Sequence, residues 1–474
     1  MGRMLTTKAL QGPVSRRVPQ LSVKPSPRGA LPSFPVAPQA PATSQKSVRS
    51  SNLPFYFGLA LIFTVFGVLT ELMYFVTGIN TYLIYVVSPA AILATVLAGG
   101  IQRTLQSRTA WYWIGFSLLM IVGIPFSSWT GGSWGVFYNY VRVCLPLLFV
   151  IGGLATNWKE LRAIFNTIAM AGILNLLTIR LFAKEENGRL SMDASGTIGN
   201  SNDLAAHLSI ILPFLLFISM DRTRNRIIRL AMLPLLAYGV WAIVGTASRG
   251  AVIALGVIFL FVLAQAKPKQ RITALVVAVV LVVASITLLP SVTLNRLGTL
   301  FGQEDIEANE STDARSYLFQ KSVRYSLEHP LLGVGVGQFS TFEGKESQAK
   351  GEHGSWHETH CAWTQISSEC GIPALIFVLM AIGSALMLVF RAWRQARKRA
   401  FPEIANACFC YLVAMVGFLV TITFIADAYR IYLPAMIGLA IAINFVATKE
   451  MSASTTTNDR RFTGMLPSRL TAVR

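Results

Sequence analysis

The sequence predicts an all-α, polytopic integral membrane protein with about twelve transmembrane helices and one large external loop. Three observations predict it. Of the 474 residues, 53% are hydrophobic and only 13% charged, with a mean hydropathy of +0.54, which exceeds what a soluble chain of this length carries. Apolar runs of about 18 residues or more, each able to cross roughly 30 Å of hydrocarbon as a helix, recur along the chain. Basic residues gather in alternate connectors, as the positive-inside rule requires of cytoplasmic loops.

The runs fall at 54–74, 80–100, 110–127, 134–155, 161–182, 203–220, 228–246, 250–266, 272–290, 372–390, 403–425 and 431–448. Connectors 102–109, 156–162, 221–229, 267–271 and 391–402 then lie on one side and carry sixteen Lys and Arg. With eight more in the amino-terminal tail and five in the carboxy-terminal tail, that side holds 29 of the 41 basic residues. It is therefore read as cytoplasmic, with both termini inside and the long connector 291–371 on the outer side.

The domain organisation follows. Residues 1–52, rich in Pro, Ser and basic residues and lacking acidic ones, form a disordered basic cytoplasmic tail. Their interruption by Pro and lack of amphipathic periodicity argue against a transit peptide, and the long tail before the first run argues against a cleavable signal. Residues 53–448 form the polytopic unit including the external loop 291–371, and 449–474 a cytoplasmic tail. The net charge of +19 is mostly this topology signal. Its dispersal over short connectors excludes a nucleic-acid surface and leaves membrane lipids as the partner of the basic loops.

Polar chemistry collects at the external ends. Arg249 stands between two apolar runs, in Ser248-Arg249-Gly250, where it either snorkels to the interface or turns its guanidinium into a pocket to grip an anion. Arg189 and the run Gly199-Asn200-Ser201-Asn202-Asp203 lead into the sixth span. Asn202 or Asp203 there caps the helix, or the free N–H groups of its start face an anionic substrate. His207, one turn further in, reads as a satisfied intramembrane polar residue.

Within the long loop, Ser311-Thr312-Asp313 predicts the cap of a helix starting near Ala314, with Tyr317, Leu318 and Leu327 on its apolar face and Pro330 as its stop. The alternating glycines of Leu332-Gly333-Val334-Gly335-Val336-Gly337 lack the spacing of a nucleotide cradle and read as a turn permitting close backbone approach. His353, His357 and His360, spaced i, i+4 and i+7, share a face only if the segment is a continuous helix, and Gly354 weakens that helix. A zinc site, a general-base or diphosphate-contacting role for at least one of them, and plain loop histidines are all compatible with the three residues. Cys144, Cys408 and Cys410 read as packing residues, while Cys361 and Cys370 leave a disulfide open.

Taken in order, Arg189 with Gly199-Asn200-Ser201-Asn202-Asp203-Leu204-Ala205, Ser248-Arg249-Gly250, Arg315 with His329-Pro330-Leu331-Leu332-Gly333-Val334-Gly335-Val336-Gly337, and His360 with Glu369-x-Gly371 resemble the O-antigen ligase superfamily of bacterial envelope polymer ligases and polymerases. The resemblance covers roughly residues 54–448. It departs from the family in Asn200-Ser201-Asn202, where Asn-Pro-Asn is common, and in His360-Cys361, where His-Asn is common.

The resemblance implies a GT-C-type glycosyltransferase architecture and a glycan ligase. Such an enzyme transfers a polysaccharide from a polyprenyl-diphosphate-linked donor to an acceptor hydroxyl on lipid A core, a protein or another glycan, without cofactor or metal. It implies His360 as general base and Arg249 and Arg189 as the catalytic cations at the departing diphosphate, with Arg315, Asn200, Asn202, His357 and Glu369 binding substrate. A repeat-unit polymerase of the same superfamily uses the same apparatus. A secondary transporter also accommodates twelve spans, but it predicts midplane charges and similar halves, and the chain offers mainly Arg142 and no clear repeat. A non-catalytic scaffold in an envelope-polymer pathway does not call for the external Arg and His residues.

Overall fold

A computed structural model describes residues 53–192, 197–299, 306–351 and 353–463. The tail 1–52 and residues 464–474 lie outside them. The helices run in chain order as α1 Leu53–Phe66, α2 Leu69–Thr77, α3 Leu83–Leu97, α4 Gly100–Leu105, α5 Arg108–Gly123, α6 Thr130–Asn139, α7 Leu145–Leu154 and α8 Trp158–Phe182. A hairpin of β1 Lys184–Glu186 and β2 Arg189–Ser191 precedes α9 Ser201–Met220, α10 Arg226–Gly245, α11 Arg249–Gln265 and α12 Pro268–Leu288. The long connector holds α13 Ser291–Gly298, α14 Ile306–Glu328, α15 Phe339–Ala349 and α16 Ala362–Cys370, and the chain ends with α17 Ile372–Lys398, α18 Pro402–Thr421 and α19 Tyr432–Thr463.

Each of the twelve apolar runs coincides with helix, but the helices differ in length. Among the described residues nine helices are long and apolar enough to cross a membrane. The α1–α2 pair, bent by 56°, makes a tenth if counted as one span. The bend falls at Gly67-Val68, where Val68 adopts left-handed φ of 50°. The two remaining apolar helices, α3 and α11, have 15 and 17 residues, about 22 and 26 Å at helical rise. The boundary expected at 448 falls inside α19, which runs on to Thr463 because no breaker interrupts it.

Small residues let the central helices approach closely. A Cβ on Gly438 of α19 would lie 2.7 Å from the Leu148 carbonyl of α7, so these two backbones touch as in other membrane helix pairs. The helices α9, α18 and α19 are buried over most of their length, whereas α12 buries no residue and presents its Val-rich surface outward. That outward surface is stable only where lipid replaces water.

Polar contacts sort the connectors into two ends. At one end Arg162 pairs with Asp221, Arg224 Nε lies 3.2 Å from the same carboxylate, Trp158 Nε1 donates to Glu403 (2.7 Å) and Lys449 Nζ to the Thr156 carbonyl (2.9 Å). At the other, Thr197 donates to Glu71, Arg189 to Asn202, Arg249 to Thr312 and Arg430 pairs with Asp203. The first end is the one rich in basic connectors. The second carries every candidate site residue.

Candidate functional site

Arg189 is delivered by the hairpin. Asn187 and Gly188 take φ of 50° and 69°, the two left-handed positions of a tight two-residue turn, and β1 pairs with β2 through Glu186 and Arg189. Thr293 at the start of α13 donates to the Gly188 carbonyl (2.7 Å), which docks the turn. Arg189 Nε then donates to the Thr246 carbonyl (3.2 Å) and Nη2 to Asn202 Oδ1 (2.9 Å). Its guanidinium is thereby fixed between the hairpin and the start of α9.

Arg249 opens α11 after a turn in which Ala247 takes φ of 49°, an unfavourable conformation for a residue with a Cβ. Its Nη2 donates to Thr312 Oγ1 of α14 (3.0 Å), so the side chain crosses from the bundle to the loop. Arg315 on α14 and Arg296 on α13 complete a group of four. Burial first, then the charges of Arg296, Arg315 and Arg249, push the Arg189 guanidinium down to about 10. Burial and then Arg249 and Arg296 lower that of Arg315. Arg249 and Arg296 thus bring positive charge to both Arg189 and Arg315.

His360 adjoins this group. It is half-buried, takes φ of 52°, and is pushed down to about 4 by burial, then by Arg315 and His357. The ring is therefore neutral at neutral pH, with a nitrogen lone pair able to accept a proton. Residues 353–361 are irregular backbone, so His353, His357 and His360 do not share a helix face, in keeping with the weakening effect of Gly354. His357 is exposed, with its charge felt at His360.

Glu369 is buried in α16, where it holds the glycine loop. Its carboxylate accepts from Gly337 N (3.0 Å), Phe339 N (3.1 Å) and the Tyr429 hydroxyl, and burial raises it to about 7. Gly333, Gly335 and Gly337 take φ of 66°, 112° and 69°. At Gly335 a Cβ would stand 2.0 Å from Ser127 Oγ, so only glycine fits. The loop is thus a close-approach turn, and Glu369 organises backbone. No hydrogen bond links it to His360 among the described residues.

The start of α9 divides the site. Asn200, not Asn202 or Asp203, is the cap: its Oδ1 accepts from the backbone N–H groups of both at 2.9 Å. Asn202 turns to Arg189, while Asp203 pairs with Arg430 Nη1 (3.3 Å) on the connector between α18 and α19. Arg430 Nε also lies 3.3 Å from Asp427 Oδ1, a buried carboxyl raised to about 7 by burial. Beyond Arg430 opens a cavity of about 820 Å³ lined by Glu71, Glu358, Asn139, Gln365, Tyr429 and Arg430 among others. Glu358 exposes its side chain there. The arginine cluster is not part of its wall, so cations and carboxylates occupy adjoining compartments.

Other polar residues have structural partners. His207 is buried between Asn175 Nδ2 (2.7 Å from Nε2) and the Tyr432 hydroxyl (2.6 Å from Nδ1), as expected of a satisfied intramembrane group. Arg142, on a π-helical turn Tyr140–Cys144 between α6 and α7, stacks 3.8 Å over the Tyr85 ring. All five cysteines are free and buried. The loop helix starts at Ile306 instead of near Ala314, and Thr312 and Asp313 sit exposed inside it, where their propensity costs only a few tenths of a kcal/mol. Its packed face is Leu318, Ser322, Tyr325 and Ser326, with Leu327 outside it.

Arg296, Asp427 and Arg430 were not among the expected site residues. Arg296 lies in a short helix with no motif of its own. Asp427-Ala428-Tyr429-Arg430 was detectable as two charges interrupting apolar sequence between the last two runs.

The chain is a multi-pass helical bundle that gathers four half-buried arginines and a histidine at one end. A family model described as O-antigen ligase matches residues 234–379, which contain Arg249, Arg296, Arg315, His360 and Glu369. This stretch belongs to the O-antigen ligase superfamily. Arg189, the start of α9 and Arg430 lie outside the match. The chain matches no curated protein.

Proposed function

We propose that the protein is a bacterial inner-membrane glycosyltransferase, with both termini cytoplasmic, that transfers a glycan from a polyprenyl-diphosphate carrier to an acceptor hydroxyl on the outer face. The observation that carries this reading is the cluster of Arg189, Arg249, Arg296 and Arg315 beside a histidine held neutral. Departure of the lipid diphosphate takes the electron pair of the sugar C1–O bond, and fixed guanidinium groups stabilise that growing charge by several kcal/mol in a partly dry site. Arg189 and Arg249 are each tethered by a hydrogen bond to a second element.

The acceptor oxygen forms the new bond to C1 as its proton passes to His360, with no metal or cofactor in the step. The donor therefore engages the arginine compartment. The acceptor sugar approaches from the side of Glu358 and the cavity, whose carboxylates and amides suit hydroxyl groups and repel a second phosphate. The lipid A core, protein and glycan acceptors share this chemistry.

The test is glycan transfer in proteoliposomes. His360→Ala is expected to lower turnover by roughly two to four orders of magnitude with donor binding intact, and a chelator to change nothing. Activity lost to chelator and regained with metal, together with equal damage from His353→Ala and His357→Ala, would replace the base with a metal site. Lipid-linked glycans in a deletion strain separate the two transfer reactions: long polymer accumulates on loss of a ligase, single units on loss of a polymerase.

A further inference from the structure

The helix α14 has three faces. One packs inward through Leu318, Ser322, Tyr325 and Ser326, with Ser326 Oγ 2.7 Å from Ser367 Oγ of α16. A second turns its polar groups to α15: Tyr317 donates to Glu343 (3.1 Å), and Lys321 and Arg324 pair with Glu346 at 3.5 and 3.2 Å. The third is apolar and exposed. Phe319, Val323 and Leu327, spaced i, i+4 and i+8 on one flank, are 47%, 38% and 69% accessible, and Leu331 continues them at 70%.

The helix is pinned within its second turn and past its last, where α11 and α17 begin. Thr312 meets Arg249 at the first residue of α11. Just past the other end, the Pro330 carbonyl accepts from Ile372 N at the start of α17 (2.8 Å), and the Leu332 carbonyl lies 3.5 Å from a Cβ built on Gly123 at the end of α5. The stretch from Thr312 to Glu328 covers about 24 Å at helical rise, so α14 runs along the end of the bundle instead of standing away from it. The apolar flank is also continuous with membrane-facing surface. Ser128 N donates to the Val334 carbonyl (2.9 Å), which sets exposed Phe126 and Trp129 beside the loop that follows α14, and Ile376 is half exposed on the first turns of α17. Aromatic residues at span ends mark the lipid interface.

We infer that α14 is an interfacial helix whose Phe319–Val323–Leu327 flank, extended by Leu331, rests in the headgroup and acyl boundary of the membrane at the site end of the bundle. Its occupant is the lipid surface: the flank lies in the plane of the span ends, its opposite flank is charged, and it joins apolar surface that lipid already covers. Arg315, on the same helix, is thereby held at a fixed depth relative to the membrane, which the transfer reaction does not need to be true for the inference to hold.

Spin labels placed singly by cysteine substitution at Phe319, Gln320, Val323, Arg324, Leu327 and Glu328, in the full-length protein in liposomes, test it. The wild type with its five buried thiols serves as the labelling blank. Labels at 319, 323 and 327 are expected to collide several-fold more with oxygen than with a water-soluble nickel complex, and those at 320, 324 and 328 to show the reverse. Equal access of the nickel complex at all six sites would overturn the inference. So would labels at 319, 323 and 327 shielded from both probes, which would put a protein there, with spin–spin broadening identifying it as a second copy.

Discussion

The neutral state of His360 has a measurable consequence in the acid limb of the rate profile. Burial, followed by the Arg315 and His357 charges, moves its proton affinity down to about 4, against an ordinary value of about 6.5. A general base works deprotonated. Lowering the pH from 7 to 5.5 would leave a base of pKa about 4 roughly 97% competent, a loss of about 3%, whereas an ordinary histidine would lose about eightfold. The sign is that of a depressed group: the active form persists as pH falls and disappears only on passing through about 4.

The perturbation that tests the cause is Arg315→Gln, which removes one neighbouring cation while leaving burial in place. The acid limb of kcat/KM, which reports the free enzyme, is expected near 4 in the wild type and higher, toward but not reaching the ordinary value, in the variant. Because Arg315 also belongs to the cation cluster, the variant loses rate at every pH, so the position of the limb is the diagnostic and its height is not. The assay is initial-rate glycan transfer in proteoliposomes from pH 4 to 8 with donor below saturation. A wild-type limb near 6.5, or a variant limb unmoved, would refute the electrostatic account of His360.

Three further outcomes are expected. Arg249→Lys should fail nearly as badly as Arg249→Ala in the same assay, because lysine keeps the charge but not the planar fork that joins Thr312 to an anion; full activity in the lysine variant would remove Arg249 from the site. Glu369→Gln should lower stability by about 1–3 kcal/mol, seen as a lower thermal midpoint in detergent, since an amide cannot accept from Gly337 and Phe339 together, and an unchanged midpoint would mean that the glycine loop holds itself. Reporters fused after Arg222, Lys267 and Arg394 should read cytoplasmic and those near Asn187 and Ser347 external; a cytoplasmic signal at Ser347 would put the arginines in the wrong compartment for the proposed reaction.

Hydropathy located the helices because a lipid-facing helix such as α12 has to be apolar along its whole surface. It did not show that α3 and α11 are shorter than the other apolar helices, because composition does not report where Tyr82, Gly99 or Ala247 turn the backbone left-handed. The hairpin that delivers Arg189 had a local signal, Asn187-Gly188, whose chemistry specifies a tight turn without any tertiary context. Arg296 and Arg430 had none of comparable strength. Their roles arise from where α13 and the α18–α19 connector dock, and docking is a property of long-range packing. Glu369 illustrates a third case: the resemblance implied a contact with substrate, and the buried backbone donors of the glycine loop take up both of its oxygens.

The adjacent residues Asn202 and Asp203 tie these levels together. In the first turn of α9 consecutive side chains point about 100° apart, so one reaches Arg189 and the other Arg430 from a single cap formed by Asn200. On the cationic side an anion gains from four guanidinium groups. Across the turn it would meet Glu71 and Glu358 around one arginine already paired with Asp203 and near Asp427. On the proposed reading this asymmetry orients the reaction: a diphosphate carrier is favoured in one compartment and repelled from the other, leaving the second open to a hydroxyl-bearing acceptor. His360, depressed by burial and then by Arg315 and His357, adjoins the cationic side, so on the proposed reading it receives the proton where the leaving charge is held, whereas carboxylates around it would raise its proton affinity.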